Sequence, residues 1–235
     1  MEETKSLRKT ARLAGLFWFA GAAAASFGLV YIRPKLIVFA DGAATANNIL
    51  ANESLFRLGI AGNLLGQILL LFFGIAAFRL FKAVNKTWAT VFLTFVITSA
   101  GIAVINSLNN IAALIVLSKV DFPNAFGQEQ LNALMMIFLR LNNYGIGFAE
   151  LFLAFYLCAL GLLIVKSRFV PKILGILLII GSIGFLINTF SKILVPQFYP
   201  AMFTQLAMLG GSLSLPTVLW FLIKGVKEKS RMSAV

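Results

Sequence analysis

The sequence predicts an all-α integral membrane protein: a helical bundle with about six transmembrane helices and a short extracytoplasmic helix in the first loop. Three observations carry this reading. The 235 residues are 60% hydrophobic and only 12% charged, with a mean hydropathy of +0.94. Soluble domains run nearer to half apolar and a quarter charged. Six apolar runs are long enough to cross roughly 30 Å of hydrocarbon at about 20 residues each. Finally, Lys and Arg alternate between the two ends of those runs, as the positive-inside rule requires.

Residues 1–12 form a cytoplasmic N-terminal segment with Lys5, Arg8, Lys9 and Arg12. Basic residues followed by an apolar run and Ala22 to Ala25 could pass for a signal peptide. The run continues to Ile32, however, so it reads as an uncleaved first span, Leu13 to Ile32. Its Gly15, Gly21, Ala25 and Gly28 permit close helix contact. Residues 33–56 are the first long loop. Asp41-Gly42 signals a turn, and Ala43 to Leu55 then reads as a short helix on the membrane surface.

The second span covers Leu58 to Phe81, and a short turn carries Arg79, Lys82 and Lys86. The third apolar run, Thr87 to Ser118, is long enough to tilt or to extend past the bilayer. A loop with Pro123 comes next, at 119–126. Gly127 to Leu139 reads as an amphipathic lead-in to the fourth span, which ends at Lys166; Asn142 and Asn143 leave its continuity open. The fifth span is Ile173 to Leu194, with Gly175, Gly181 and Gly184 spaced for packing. The sixth is Ala201 to Ile223, and Pro216 predicts a kink in it. The membrane domain is thus 13–223, and 224–235 is a cytoplasmic tail. Fourteen of the twenty Lys and Arg fall on the side of the two termini and six on the other, which places both termini in the cytoplasm of a multi-pass cell-membrane protein. Arg12-Leu13-Ala14-Gly15-Leu16 resembles Lys172-Ile173-Leu174-Gly175-Ile176, and a basic residue with a glycine at a helix start reads as a packing device rather than a repeat.

The net charge of +12 would suggest nucleic acid on a soluble protein, but here membrane orientation accounts for it. One cysteine, Cys158, and the absence of histidine exclude an internal disulfide framework and a histidine-held zinc. No cofactor or metal is expected. There is no phosphate-binding glycine loop, no Gly-x-Ser-x-Gly and no pair of carboxylates within a span, so an enzyme is not expected either. Asn52-Glu53-Ser54 matches a glycosylation acceptor, a pattern frequent by chance.

The polar residues inside the apolar runs carry the functional expectation. Glu150 is the one carboxylate within such a run, ten residues after Arg140, on the order of 15 Å along a helix. Arg140, Asn143, Gly147, Glu150 and Ala154 share one helical stripe. Asn106, Asn109 and Asn110 share another, Asn63 and Gln67 a third, and Gly181, Gly184, Asn188 and Lys192 a fourth. All lie toward the outer halves of their spans, and the inner halves are apolar. A charge at the bilayer centre costs about 2.5–3.5 kcal/mol and needs an interior position and a partner. These residues therefore predict an outward-facing polar cavity with Glu150 at its floor. Its lining would be Asn63, Gln67, Asn106, Asn110, Asn143, Asn188 and the cations Arg57, Arg140 and Lys192. Membrane lipids and a small-molecule or lipid-like ligand are the expected partners, with binding or transport as the function. The alternative is a structural or regulatory protein acting through a protein partner, in which the same polar groups only fix helix packing.

Three stretches resemble a bacterial family of multi-span membrane proteins, domain-of-unknown-function family 4386. They are RPKLIVFADGAATANNILANESLFRLG at 33–59, the run from NNYGIGFAELF through SRFVPKILGILLIIGSIGFLINTF, and LPTVLWFLIKGVK near the end. The resemblance implies a multi-span bundle in a bacterial inner membrane. It implies no established activity and assigns no functional residues.

Overall fold

A computed structural model describes residues 2–118, 126–195 and 201–226. Among these the chain is helical throughout, with no strand. The elements are α1 (Glu2–Ser26), a π-helical turn (Phe27–Ile32), α2 (Arg33–Leu36), α3 (Gly42–Ala51), α4 (Glu53–Phe81), α5 (Lys86–Asn106), α6 (Leu108–Ser118), α7 (Gln128–Lys166), α8 (Lys172–Leu194), α9 (Ala201–Ser212) and α10 (Leu215–Ile223). The predicted loops at 119–126 and 195–200 lie almost wholly outside the described residues, as does the tail beyond 226.

Five stretches are long and apolar enough to cross a membrane: Leu7–Leu36, Glu53–Phe81, Lys86–Ser118, Gln128–Lys166 and Lys172–Leu194. The predicted sixth span is divided. Its helix stops at Ser212 and restarts at Leu215, with Pro216 in the first turn of α10, where a missing N–H costs no helical hydrogen bond. The apolar part, Met208–Ile223, is shorter than the other five. The third run breaks at Ser107, whose hydroxyl donates to Ala103 O. The fourth helix does not break at Asn142 and Asn143. Its 39 residues extend roughly 58 Å, about twice the hydrocarbon thickness.

The chain divides into two compact units. The first comprises Met1–Ala20, Leu69–Ala100 and Gly147–Val235. Its core is aromatic: Trp18 stacks on Phe73 at 4.5 Å, Phe73 meets Phe92 edge-on, and Phe92 meets the buried Tyr156. Glycines set the helix contacts around it. A methyl at Gly15 would stand 2.7 Å from Leu222 N on α10, and one at Gly161 would stand 2.6 Å from Gly175 O on α8. Close backbone approach of this kind is how helices associate in lipid, where no hydrophobic force separates helix from acyl chain. The outer face of α8 shows the complementary pattern. Ile173, Ile176, Ile180, Ile183 and Ile187 recur at helical spacing and are 40–57% exposed, while Gly175, Leu178, Gly181, Ser182, Phe185 and Asn188 face inward. An apolar outside with the small and polar residues inside is a lipid-facing helix, and the chain is an all-α membrane protein.

The second unit comprises Gly21–Ile68 and Gly101–Ile146. Its core gathers Ile32, Leu36, Ile49, Phe56, Leu114, Met135 and Leu139. Gly28 and Gly59 bring α4 against the π-helical turn, and Gly66 meets Gly21 and Ala25. The predicted loop helix is present as α3, but it ends at Ala51 rather than Leu55, and the second span already begins at Glu53. Asp41 caps it by accepting from Ala44 N at 2.9 Å, which satisfies an otherwise unpaired first-turn donor. Thr45 ties the preceding turn, accepting from Val38 N and lying within bonding distance of Val38 O and Asp41 O.

Candidate functional site

Each unit holds one polar cluster. In the first unit the cluster lies between α7 and α8. Asn188 Nδ2 donates to Glu150 Oε2 at 2.9 Å, and Thr189 Oγ1 donates to Gly147 O at 3.2 Å. Lys192, one turn beyond Asn188, acts electrostatically on the carboxylate. On the other side of α7, Ser99 Oγ of α5 donates to Ala149 O. Asn188 and Thr189 are buried, whereas Glu150 and Lys192 are half-buried. At Gly161 and Gly175 the two backbones meet so closely that a methyl would strike a carbonyl, whereas a methyl at Gly147 would meet Lys192 Cδ and Thr189 Cγ2 at 3.8 and 3.9 Å, ordinary contact distances. At the polar groups, therefore, α7 and α8 meet through side chains.

In the second unit the cluster centres on a reciprocal pair of asparagines. Asn106 Nδ2 donates to Asn142 O at 2.9 Å, and Asn142 Nδ2 donates to Asn106 O at 3.1 Å. Asn106 Oδ1 accepts from Asn109 Nδ2, and Asn142 Oδ1 accepts from Arg33 Nη1 at 3.0 Å. The partners fix both amide orientations, since only the oxygen can face a guanidinium. A second strand of this cluster runs from Gln67 Nε2 to Asn63 Oδ1 and from Asn63 Nδ2 to Ser107 Oγ. Gly145 is required here, because a methyl on it would overlap the Asn106 amide.

Arg33 reaches Asn142 through a local backbone device. Its N–H donates to Gly28 O, five residues back, and so closes the π-helical turn. The turn holds one more residue than an α-helical turn does, so Arg33 sits about 100° from where the same residues wound as plain α-helix would put it. Pro34, which cannot continue an i to i−4 ladder, sits immediately after. The guanidinium lies 5.6 Å from the centre of the Phe39 ring. Its Nη2 is enclosed and has no acceptor. A buried donor left unpaired costs about 1–3 kcal/mol, and more when the group is charged.

Two of the predicted lining residues are brought together at Glu150: Asn188, and Lys192 through its charge. Asn63, Gln67 and Asn106 are joined in the second unit. Asn110 is half-buried on α6, and its backbone N–H donates to Ser107 O. Asn143 is half-buried and partnered. The other two predicted cations are engaged away from Glu150. Arg57 is exposed and pairs with Glu53 at 2.7 Å, an i, i+4 surface pair worth at most about 1 kcal/mol. Arg140 is exposed and donates to Phe39 O at 3.3 Å. Sequence reasoning did not single out Arg33 or Asn142. Asn142 lies one helical step off the stripe chosen for α7, on a face that Gly145 and Ala149 share at helical spacing. That small-residue face was the available signal. Arg33 entered only as one of the six Lys and Arg counted on the outer side.

Two shallow hollows flank these clusters in sequence. One, about 400 Å³, is lined by Lys9, Arg12, Leu13, Leu16 and Leu222 in the first unit. The other, about 350 Å³, lies in the second unit between the 39–43 turn and Glu129, Asn132, Met136 and Arg140 of α7.

No curated protein and no solved structure matches this chain. One family does. The sequence model described as domain of unknown function (DUF4386) matches residues 13–225, all five long apolar stretches included or overlapped. The match covers nine-tenths of the chain and agrees with the three resembling stretches, so this membrane protein belongs to the DUF4386 family.

Proposed function

We propose that this protein binds a small polar or lipid-like ligand within the membrane, with Glu150 as the anchor. One observation supports the reading most directly: a carboxylate within the longest helix, held on Oε2 by Asn188, one turn from a glycine at which an added methyl would meet only side chains, at ordinary contact distances. A carboxylate set among apolar spans is costly, and such groups cluster on ligand and ion pathways. Asn188 orients it, Lys192 offsets its charge, and Gly147 leaves room beside it. The excess of Lys and Arg at the terminal ends supports a multi-pass cell-membrane protein with cytoplasmic termini, so that the polar halves of the spans open outward.

The competing reading is a protein that acts through a protein partner, with these groups serving packing alone. It is favoured by Thr189 and Ser99, whose bonds end on backbone carbonyls of α7. Glu150→Gln separates the two, since it keeps the shape and removes the charge. On the ligand reading the variant extracts and melts like the parent, and native mass spectrometry shows loss of a co-purifying small molecule or lipid. Unchanged retention by a folded variant would sink the ligand reading. A protein that co-purifies with parent and variant alike would establish the competing one.

A further inference from the structure

Arg33 is a cation of the second unit that the reading of Glu150 does not use. Its guanidinium is half-buried and fixed on one side by Asn142, which Asn106 fixes in turn. Two further features mark it as more than an interfacial cation. The chain interrupts its first span with a π-helical turn and a proline to deliver this side chain, and π turns recur at functional sites. The second is Nη2, enclosed with no acceptor, where native structures leave very few such donors. Among the described residues the ion pair is Arg57–Glu53, so no carboxylate answers Arg33. The nearby charges are accounted for. Lys35 lies over the Tyr31 ring at 3.7 Å, Asp41 caps α3, and Arg140 holds the carbonyl of the same Phe39 whose ring covers Arg33. Glu129 lines the hollow beside Arg140 and is the acidic residue there.

We propose that Arg33 and Asn142 form a binding site for a phosphate group, either of a lipid headgroup or of a free phosphate. Asn142 occupies Nη1 and orients the planar fork. A phosphate oxygen takes Nη2, reached when the half-exposed Phe39 ring turns aside. Arg140, which donates to Phe39 O, supplies the second positive charge. A phosphate oxygen suits the remaining nitrogen because a hydrogen bond between two charged groups is roughly twice as strong as a neutral one.

The test uses the full chain in maltoside detergent. Phosphatidylglycerol and inorganic phosphate serve as probes, and a galactolipid as the phosphate-free control. The wild-type protein is treated with an arginine-selective dicarbonyl, and modification of Arg33 is read by peptide mass spectrometry. Protection by phosphatidylglycerol but not by inorganic phosphate supports the site and assigns it to a lipid. Protection by inorganic phosphate supports it as a site for the free anion. Protection by neither, or equally by the galactolipid, overturns it. Arg33→Gln is expected to weaken phosphatidylglycerol or phosphate retention about tenfold or more, and Arg33→Lys by less, since it keeps the charge without the fork. A folded Arg33→Gln protein with unchanged retention also overturns the site. The protection experiment needs no variant and stays decisive if neither folds. Glu150→Gln leaves this site intact, so the two proposals fail separately.

Discussion

A single methyl group would displace the central polar contact of the second unit. Asn106 keeps its amide where a Cβ on Gly145 would stand, and both ends of that amide are already bonded, to Asn142 and Asn109. Gly145→Ala is therefore expected to lower thermal stability, by about 1–3 kcal/mol of overpacking. Gly101→Ala is the matched control. Nothing lies within 4 Å of a Cβ there, and the residue is inside α5. It should be neutral or gain up to about 1 kcal/mol of helix propensity. Melting of the two variants in detergent checks the pair, and a Gly145→Ala protein as stable as the parent would show that the amide can move. At this scale the sequence was informative about type and less so about pairing. Asparagines at i, i+3 and i+4 marked a polar face of the third run. Which carbonyl each amide reaches depends on the neighbouring helix, and no spacing within one helix encodes that. Arg33 was illegible for a further reason: its direction is set by the π-helical turn, and Phe27–Ile32 contains no residue that demands one.

The elements obey their sequence signals where a signal exists. Pro216 divides the last apolar stretch and Asp41 opens α3, both at or within two residues of the predicted place. The break at Ser107 has no proline or glycine to announce it. The continuity of α7 through Asn142 and Asn143 is equally unannounced. Asparagine weakens a helix interior by bonding to its own backbone, but the Asn142 amide is used by Asn106 and Arg33 instead. Helix pairing yields a sharper expectation. Gly161 and Gly175 each place a would-be methyl within 2.6 Å of the other's carbonyl. Gly161→Ala and Gly175→Ala should each destabilise the protein by roughly 1–3 kcal/mol. Because they disturb one contact, the double variant should cost less than the sum. Strict additivity in a double-mutant cycle would mean that the two glycines act apart.

For the molecule as a whole, composition and the alternation of basic residues carried the architecture, because lipid imposes so few solutions. Backbone groups must be satisfied internally, and only helices and closed barrels achieve that. The exposed isoleucines of α8 express the same constraint from outside. The charge count leads to an orientation that can be measured. In a Cys158→Ala background, Ser54→Cys should react with an impermeant maleimide on intact cells, whereas Lys9→Cys should react only after permeabilisation. The reverse pattern would invert the proposed topology and turn the polar halves of the spans toward the cytoplasm.

The turn at Phe27–Ile32 has a meaning in the language of insertions and deletions. It is one residue in excess of an uninterrupted helix, absorbed without a loop. Apart from Gly28, which meets Gly59, and the buried Ile32, the identity of its residues is loosely constrained. Their number is not free. Losing one and winding the rest as plain α-helix would leave Arg33 on the Asn142 side, whereas gaining one that the turn does not absorb would swing it by about 100°. A single deletion here is therefore offset by loss of the wide turn, and an unabsorbed insertion is what would turn Arg33 away.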